Sequence, residues 1–250
     1  MNSESAPTLL RYRNLHWWML LPFTISILGF SYSYFFALSQ ASFHQHVHGL
    51  SATLWYLLII IQPWLMVHRG NAGTHRSLGI VGLVLAGLVA GSALTIIPKN
   101  IDNIEELAED GIFNPTFAYF ATYLDLVLIA QFLFSVTLAV LKIRKGQVAD
   151  HVQWLLASVF FVLSPALIRL LLIATITLNA GEIEGIQFQT LVIPSLILML
   201  VIIGVYFYRF GSFKHPSFIL LILSQLAMLL VGWVGDNETL RTLAHIIFKP

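Results

Sequence analysis

Apolar runs long enough to cross a hydrocarbon layer as helices, about 20 residues each, dominate this chain and leave it few ways to fold. Seven are present, at 17–38, 49–67, 77–97, 115–142, 151–178, 187–208 and 217–234. A lipid-facing β-barrel would read as short segments of alternating hydrophobicity, so these continuous runs predict helices. The expected architecture is all-α: a seven-transmembrane helical bundle forming a single integral membrane domain over residues 1–250. With 58% hydrophobic and 10% charged residues, the chain has too little polar surface to clothe a soluble globule of its size.

The charges partition about the apolar runs and orient them. One set of connecting segments holds Arg11, Arg13, Arg69, Arg76, Lys142, Arg144, Lys145, Arg209 and Lys214 against only Glu4 and Asp150. The opposite set holds Asp102, Glu105, Glu106, Glu109, Asp110, Glu182, Glu184, Asp236 and Glu238, with only Lys99, Arg241 and Lys249 as bases. Basic residues concentrate in cytoplasmic loops, so the N-terminus is expected in the cytoplasm and the C-terminus outside, which requires an odd number of spans. Trp17, Trp18, Trp64 and Trp233 stand at the ends of runs, where indole rings favour the headgroup layer. No small-residue cleavage motif follows the first run, which therefore reads as a retained span. The stretches 100–113 and 238–248 are spaced as short amphipathic surface helices.

The formal net charge of +1 and the absence of a basic patch beyond these loops give no reason to expect a nucleic-acid partner; the lipid bilayer is the expected one. There is no cysteine, so a metal site must draw on His, carboxylates, Met or backbone oxygens.

Two charges fall inside the runs. Asp125 is about 25 Å from Lys142 along the fourth, and Arg169 about 27 Å from His151 along the fifth, by helix rise. They reach nearly the same level, and a lone charge in hydrocarbon costs several kcal/mol, so a structural ion pair between Asp125 and Arg169 is expected. Alternatively, Arg169 neutralises an anionic group such as a haem propionate or a lipid phosphate. Pro165 predicts a freed carbonyl and a kink one turn before Arg169. Gln62, Gln131 and Gln225 are expected to hydrogen-bond between helices, and Gly79, Gly82, Gly87 and Gly91 to form a small-residue packing face.

The histidines lie at the ends of the runs. His44, His46 and His48 crowd one five-residue stretch; in a helix His44 and His48 share a face, and in an extended segment His46 joins them. They are the candidate metal ligands, for copper or another divalent metal. At the basic end, His68, His75 and His151 meet if their helices adjoin, which would suit the two axial positions of haem b. Interfacial anchoring is the competing reading for these histidines, for His16 and for His215, and His245 is expected to be exposed.

These residues carry a resemblance. The pattern His48-Gly49, Trp55, Gln62-Pro63, Gly70, His75-Arg76-Ser77-Leu78-Gly79, then Asp150-His151-Val152-Gln153-Trp154-Leu155-Leu156 and Arg169, resembles an uncharacterised family of predicted bacterial multi-pass membrane proteins, over roughly residues 44 to 172. A weaker likeness, on His75, Arg76 and Gly79, is to haem A synthase and cytochrome b561-like bundles, in which a His-Arg-x-x-Gly helix start supplies an axial ligand. Thr74 stands where haem A synthases carry an acid. The family has no settled activity, and the haem-bundle likeness touches only His75, Arg76 and Gly79; from the residues themselves the leading expectation is a bacterial inner-membrane haem- or metal-binding protein, with His48, His75, His151 and Arg169 as the candidate cofactor-binding residues. Electron transfer involving quinone or a respiratory complex is then within reach.

Two other classes stay open: a non-catalytic assembly protein handling copper or haem for a respiratory complex, and a small-solute or lipid transporter using Asp125 and Arg169. Membrane desaturases place several His boxes on one face, unlike this chain, and a retinal receptor needs a Lys in the seventh run, which has none.

Overall fold

The computed structural model of the protein describes residues 10–102, 104, 114–179 and 187–248. Among them no strand occurs, and the elements in order are α1 (Leu15–Gly29), α2 (Phe43–Val67), α3 (Ala72–Asp102), α4 (Pro115–Arg144), α5 (Val148–Phe161), α6 (Ser164–Leu178), α7 (Val192–Phe210), α8 (Pro216–Gly235) and α9 (Glu238–Phe248). Five helical segments are each long and apolar enough to cross a membrane, and α5 with α6 makes a sixth if that bent pair is one span. The protein is thus a multi-pass helical bundle. A short α-helical turn and Met19 open α1, and a 3-10 turn at Ala227–Leu230 interrupts α8.

The ends of these helices follow from local chemistry. Ser42 caps α2 through a reciprocal box: its hydroxyl accepts from the Gln45 N–H at 3.4 Å, and its own N–H donates to Gln45 Oε1 at 2.8 Å. Asn114 caps α4 by accepting from the Thr116 N–H at 2.9 Å, with Pro115 following in the first turn, where its missing N–H costs nothing.

The first apolar run departs from expectation. Its helix stops at Gly29 and the chain continues as a π-helical turn, Ser31–Phe35, and a 3-10 turn, Leu38–Gln40. Residues 17–38 are therefore not one uniform helix. The second run starts earlier than expected, at Phe43, because the His-rich stretch is itself helical. The break at Val162–Leu163 between α5 and α6 bends the segment by 44°, with Pro165 in the first turn of α6. Pro165 has no N–H for the Phe161 carbonyl one turn back, which is the kink the sequence predicts.

This broken pair forms the centre of the molecule. Phe160, Phe161, Leu163, Ala166 and Leu167 are fully buried, against Tyr206, Phe207 and Phe210 of α7. Helix α1 lies so close to α6 that a Cβ on Gly29 would stand 2.1 Å from the Ala166 carbonyl oxygen, so only glycine fits there. Large apolar side chains face outward, as Ile80, Val84 and Leu88 on α3 and Ile193, Ile197 and Val201 on α7, where a soluble protein would carry polar groups.

The two ends of the bundle differ in charge. At the basic end Lys142 pairs with Asp150 at 2.8 Å, Arg11 donates to the Gly211 carbonyl at 2.5 Å, and the guanidinium of Arg69 lies 5.3 Å from the Trp64 ring. At the opposite end, which carries His44, His46 and His48, Thr116 donates to Asp236 at 2.5 Å and Tyr123 to the Leu240 carbonyl at 2.6 Å, which fastens α4 to the C-terminal segment. The amphipathic stretch expected at 238–248 is helix α9; the one expected at 100–113 falls mostly outside the described residues. His245 is half-buried rather than exposed, with Nε2 2.7 Å from the Tyr119 hydroxyl.

Candidate functional site: a polar cavity and a histidine pair

At the end opposite the basic one the helical form of residues 43–67 decides which imidazoles can act together. Residues two apart on a helix point to opposite sides, so His46 turns from His44 and His48 and places Nδ1 3.4 Å from the Tyr34 hydroxyl. His44 is exposed beside Phe43. The trio is therefore not brought together. Among the described residues no group of three or more His, Asp or Glu is placed to hold a metal ion.

His48 faces inward instead. Its Nδ1 lies 3.1 Å from the Ser92 hydroxyl, while Ser92 donates to the Val89 carbonyl at 3.1 Å and Ser51 to the His48 carbonyl at 3.0 Å. The Val89 carbonyl is a further partner of the His48 ring, which is thus held between Ser92 and the backbone of α3.

His48 lines a partly open cavity of about 270 Å³, whose wall also includes Phe30, Tyr56, Phe132, Asp125 and Arg169. A smaller pocket of about 100 Å³ adjoins it through Asp125, Pro165 and Arg169. The Arg169 guanidinium rests 5.0 Å from the Phe30 ring centre and donates one hydrogen bond, at 2.9 Å, to the Pro165 carbonyl. The expected Asp125–Arg169 ion pair is not formed as a contact. Among the described residues the pairs within 4.0 Å are Lys142–Asp150, His215–Asp150 and Arg241–Asp236. The two intramembrane charges feel one another across the cavity they share. The Tyr56 hydroxyl, on a residue only 3% exposed, has Ser26 as a neighbour but no hydrogen bond of good geometry.

At the basic end a different arrangement holds His75 and His151. His75 Nδ1 lies 3.3 Å from the Gln62 carbonyl, across the α2–α3 hairpin, and His151 Nδ1 lies 2.8 Å from the Ala139 carbonyl, across the α4–α5 hairpin. A carbonyl only accepts, so both Nδ1 atoms carry the proton and both Nε2 atoms are free to bind. This is the second contact by which proteins orient ligating imidazoles. The two hairpins adjoin through α3 and α4. Beside them, Gln62 donates to the His75 carbonyl at 3.2 Å while its Oε1 is buried without a partner.

His68, the third histidine expected here, turns away: its Nε2 donates to the Arg13 carbonyl at 2.8 Å and its ring stacks edge-on with His16, 4.8 Å between centres. His215 caps α8, with Nδ1 accepting from the Ser217 N–H at 3.2 Å and Nε2 3.7 Å from Asp150. Burial holds its pKa below the usual histidine value; Asp150 opposes that effect and Lys142 adds to it.

Sequence reasoning found His48, His75, His151, Asp125 and Arg169, and the structure distributes them between two sites. It missed Tyr56, Ser92 and the Gln62 carbonyl. Tyr56 sits one residue after Trp55 in an apolar run and has no local signal. Ser92 lies in the small-residue series of the third run, where a hydroxyl reads as packing. No protein family, curated protein or solved structure matches the chain.

Proposed function

We propose that the chain is a seven-span protein of the bacterial cytoplasmic membrane that holds a b-type haem between His75 and His151, in the service of electron transfer. The observation that carries this reading is the shared orientation: two imidazoles on hairpins that adjoin through α3 and α4, each with Nδ1 at a backbone carbonyl, which leaves Nε2 as the ligating atom. An interfacial anchor needs no such orientation. The donor set fits a bis-imidazole group, and the unpartnered Gln62 Oε1 marks a polar position that nothing in the chain fills. When bound, the haem supplies one-electron chemistry, with a potential set by its two imidazoles and by the burial around them. The chain's own part is to fix both rings without a flexible linkage, since each is tied to main chain.

Seven spans follow if α1 and the turns to Gln40 together cross once, beside five single helices and the bent α5–α6 pair. An odd count puts the two termini on opposite sides, and the basic loops then assign the N-terminus and the basic end to the cytoplasm. The His75–His151 pair is then cytoplasmic and the cavity lies toward the outer leaflet.

The test is the reduced-minus-oxidised visible spectrum of protein purified in mild detergent after haem-replete expression. A b-type band is expected in the wild type and in His48→Ala, and is expected to be lost in His75→Ala and in His151→Ala. A colourless wild type, or a band that survives both substitutions, overturns the assignment.

A further inference from the structure

We propose that the cavity between His48, Tyr56, Asp125 and Arg169 is a binding site for the head group of a membrane quinone or quinol. It stands apart from the haem reading, because it rests on a different set of residues at the other end of the bundle.

Four features converge on one ligand class. Asp125 and Arg169 carry opposite charges on the same wall without touching, so the cavity has an acceptor and a multiple donor facing the same space. Arg169 commits one N–H to the Pro165 carbonyl, which leaves further donors of its fork for a carbonyl oxygen. His48, held beside Ser92, adds a further polar ring to the same wall, and Asp125 supplies an acceptor for the hydroxyl of a quinol. The Tyr56 hydroxyl is buried at the wall with Ser26 as its neighbour and no well-aligned hydrogen bond, so it can turn to a ligand oxygen.

Between these polar groups the wall is aromatic. The Phe30 and Phe132 rings line it, and Trp55, 2% exposed, packs edge-on against Phe132 from behind at 5.1 Å. A flat ring with oxygens at its periphery matches such a wall. The volume, about 270 Å³, is close to the lower limit of small-molecule sites, roughly 300 Å³.

Depth separates this ligand from the alternative, a lipid phosphate. Asp125 is ten residues into α4, and Arg169 nine residues from the end of α6, which places both about 14–15 Å below the helix ends. A phosphodiester would have to leave the interface and shed its water to reach that level, with the Asp125 carboxylate beside it. An uncharged quinone head already resides in hydrocarbon and requires no such transfer.

The test uses the purified full chain in mild detergent, titrated with a short-chain benzoquinone, the bound fraction being measured by solvent extraction and chromatography after removal of free micelles. Saturable uptake of one quinone per chain is expected, weakened roughly tenfold in Arg169→Gln and severalfold in Tyr56→Phe. Tyr56→Phe alters one oxygen and keeps the ring, so it reads the site even if Arg169→Gln unfolds; circular dichroism reports that outcome. Uptake that does not saturate, equal uptake in wild type and Tyr56→Phe, or displacement by a short-chain phosphatidic acid but not by a second quinone overturns the proposal. The visible spectrum recorded on the same samples keeps the two readings separate: a haem band without quinone uptake defeats this proposal alone, and uptake by a colourless protein defeats the haem assignment alone.

Discussion

The two ends of the bundle hold the same residue types by opposite means. At the basic end His75 and His151 are fixed by main-chain carbonyls that belong to tight helical hairpins. At the opposite end His48 is held by a serine side chain, and Asp125 and Arg169 line a cavity. A carbonyl in a hairpin cannot be removed by substitution and scarcely moves, so the first arrangement sets orientation once and keeps it. A hydroxyl and a cavity wall can adapt to what enters. The pair therefore has the rigidity expected of a ligated group and the cavity the tolerance expected of one exchanging its occupant.

The sharpest way to break this comparison is to delete charge at the cavity. Arg169→Ala leaves Asp125 uncompensated inside the bundle and is expected to cost about 3 kcal/mol, seen as a lowered apparent melting temperature in detergent. Adding Asp125→Asn to it should restore more than half of that loss; a double variant as unstable as the sum of the singles would mean that the two charges act independently.

A smaller effect is expected from Ser92→Ala, which removes the hydroxyl that holds His48 Nδ1 and should cost about 1–2 kcal/mol while leaving the visible spectrum unchanged. No substitution can remove the corresponding carbonyls at the other end, and that asymmetry is what the measurement examines. If Ser92→Ala also altered the spectrum, the two ends would not be separate.

Acid should weaken the basic end through His215. Its pKa is lowered in the folded chain, chiefly by burial, so a proton binds the unfolded chain more tightly. The neutral ring's stabilisation is fully present above the unfolded value, about pH 6.5, and is lost as the pH falls below it. His215→Asn retains a capping oxygen for Ser217 and should flatten this part of the pH–stability curve; an unchanged curve would assign the acid sensitivity elsewhere. Least of all, Lys142→Ala should cost about 0.5 kcal/mol, since that pair is about one-third exposed and screened.

How much of this was legible in the sequence varied with the range of the interaction. The apolar runs gave the helices, and Pro165 gave the break before α6, because both effects act within a turn or two of chain. The shared level of Asp125 and Arg169 followed from helix rise alone, but the gap between them did not: whether two side chains touch depends on how far apart the helices stand, and Phe30 and the Pro165 carbonyl compete for the guanidinium. The separation of His46 from His44 and His48 needed the helix to begin at Phe43, which the Ser42–Gln45 capping box determines. That S-x-x-Q signal was present in the sequence and outweighed by the run of polar residues around it. The Nδ1 partners of His75 and His151 are carbonyls, and main-chain acceptors leave no trace in side-chain identity.

The hairpin of α4 and α5 also bears on biosynthesis. Its turn is short, with the Gly146 N–H closing on the Ile143 carbonyl at 2.9 Å and the Gln147 N–H on the Lys142 carbonyl at 3.0 Å. At about 5–20 residues per second, the ribosome delivers Arg169 several seconds after Asp125. For that interval α4 is a helix whose acid has no counterpart, and α6 arrives with a base equally costly to place in lipid alone. The two are therefore expected to leave the translocation channel together, as one hairpin, so that the order in which the chain is made already selects the neighbours that surround the cavity.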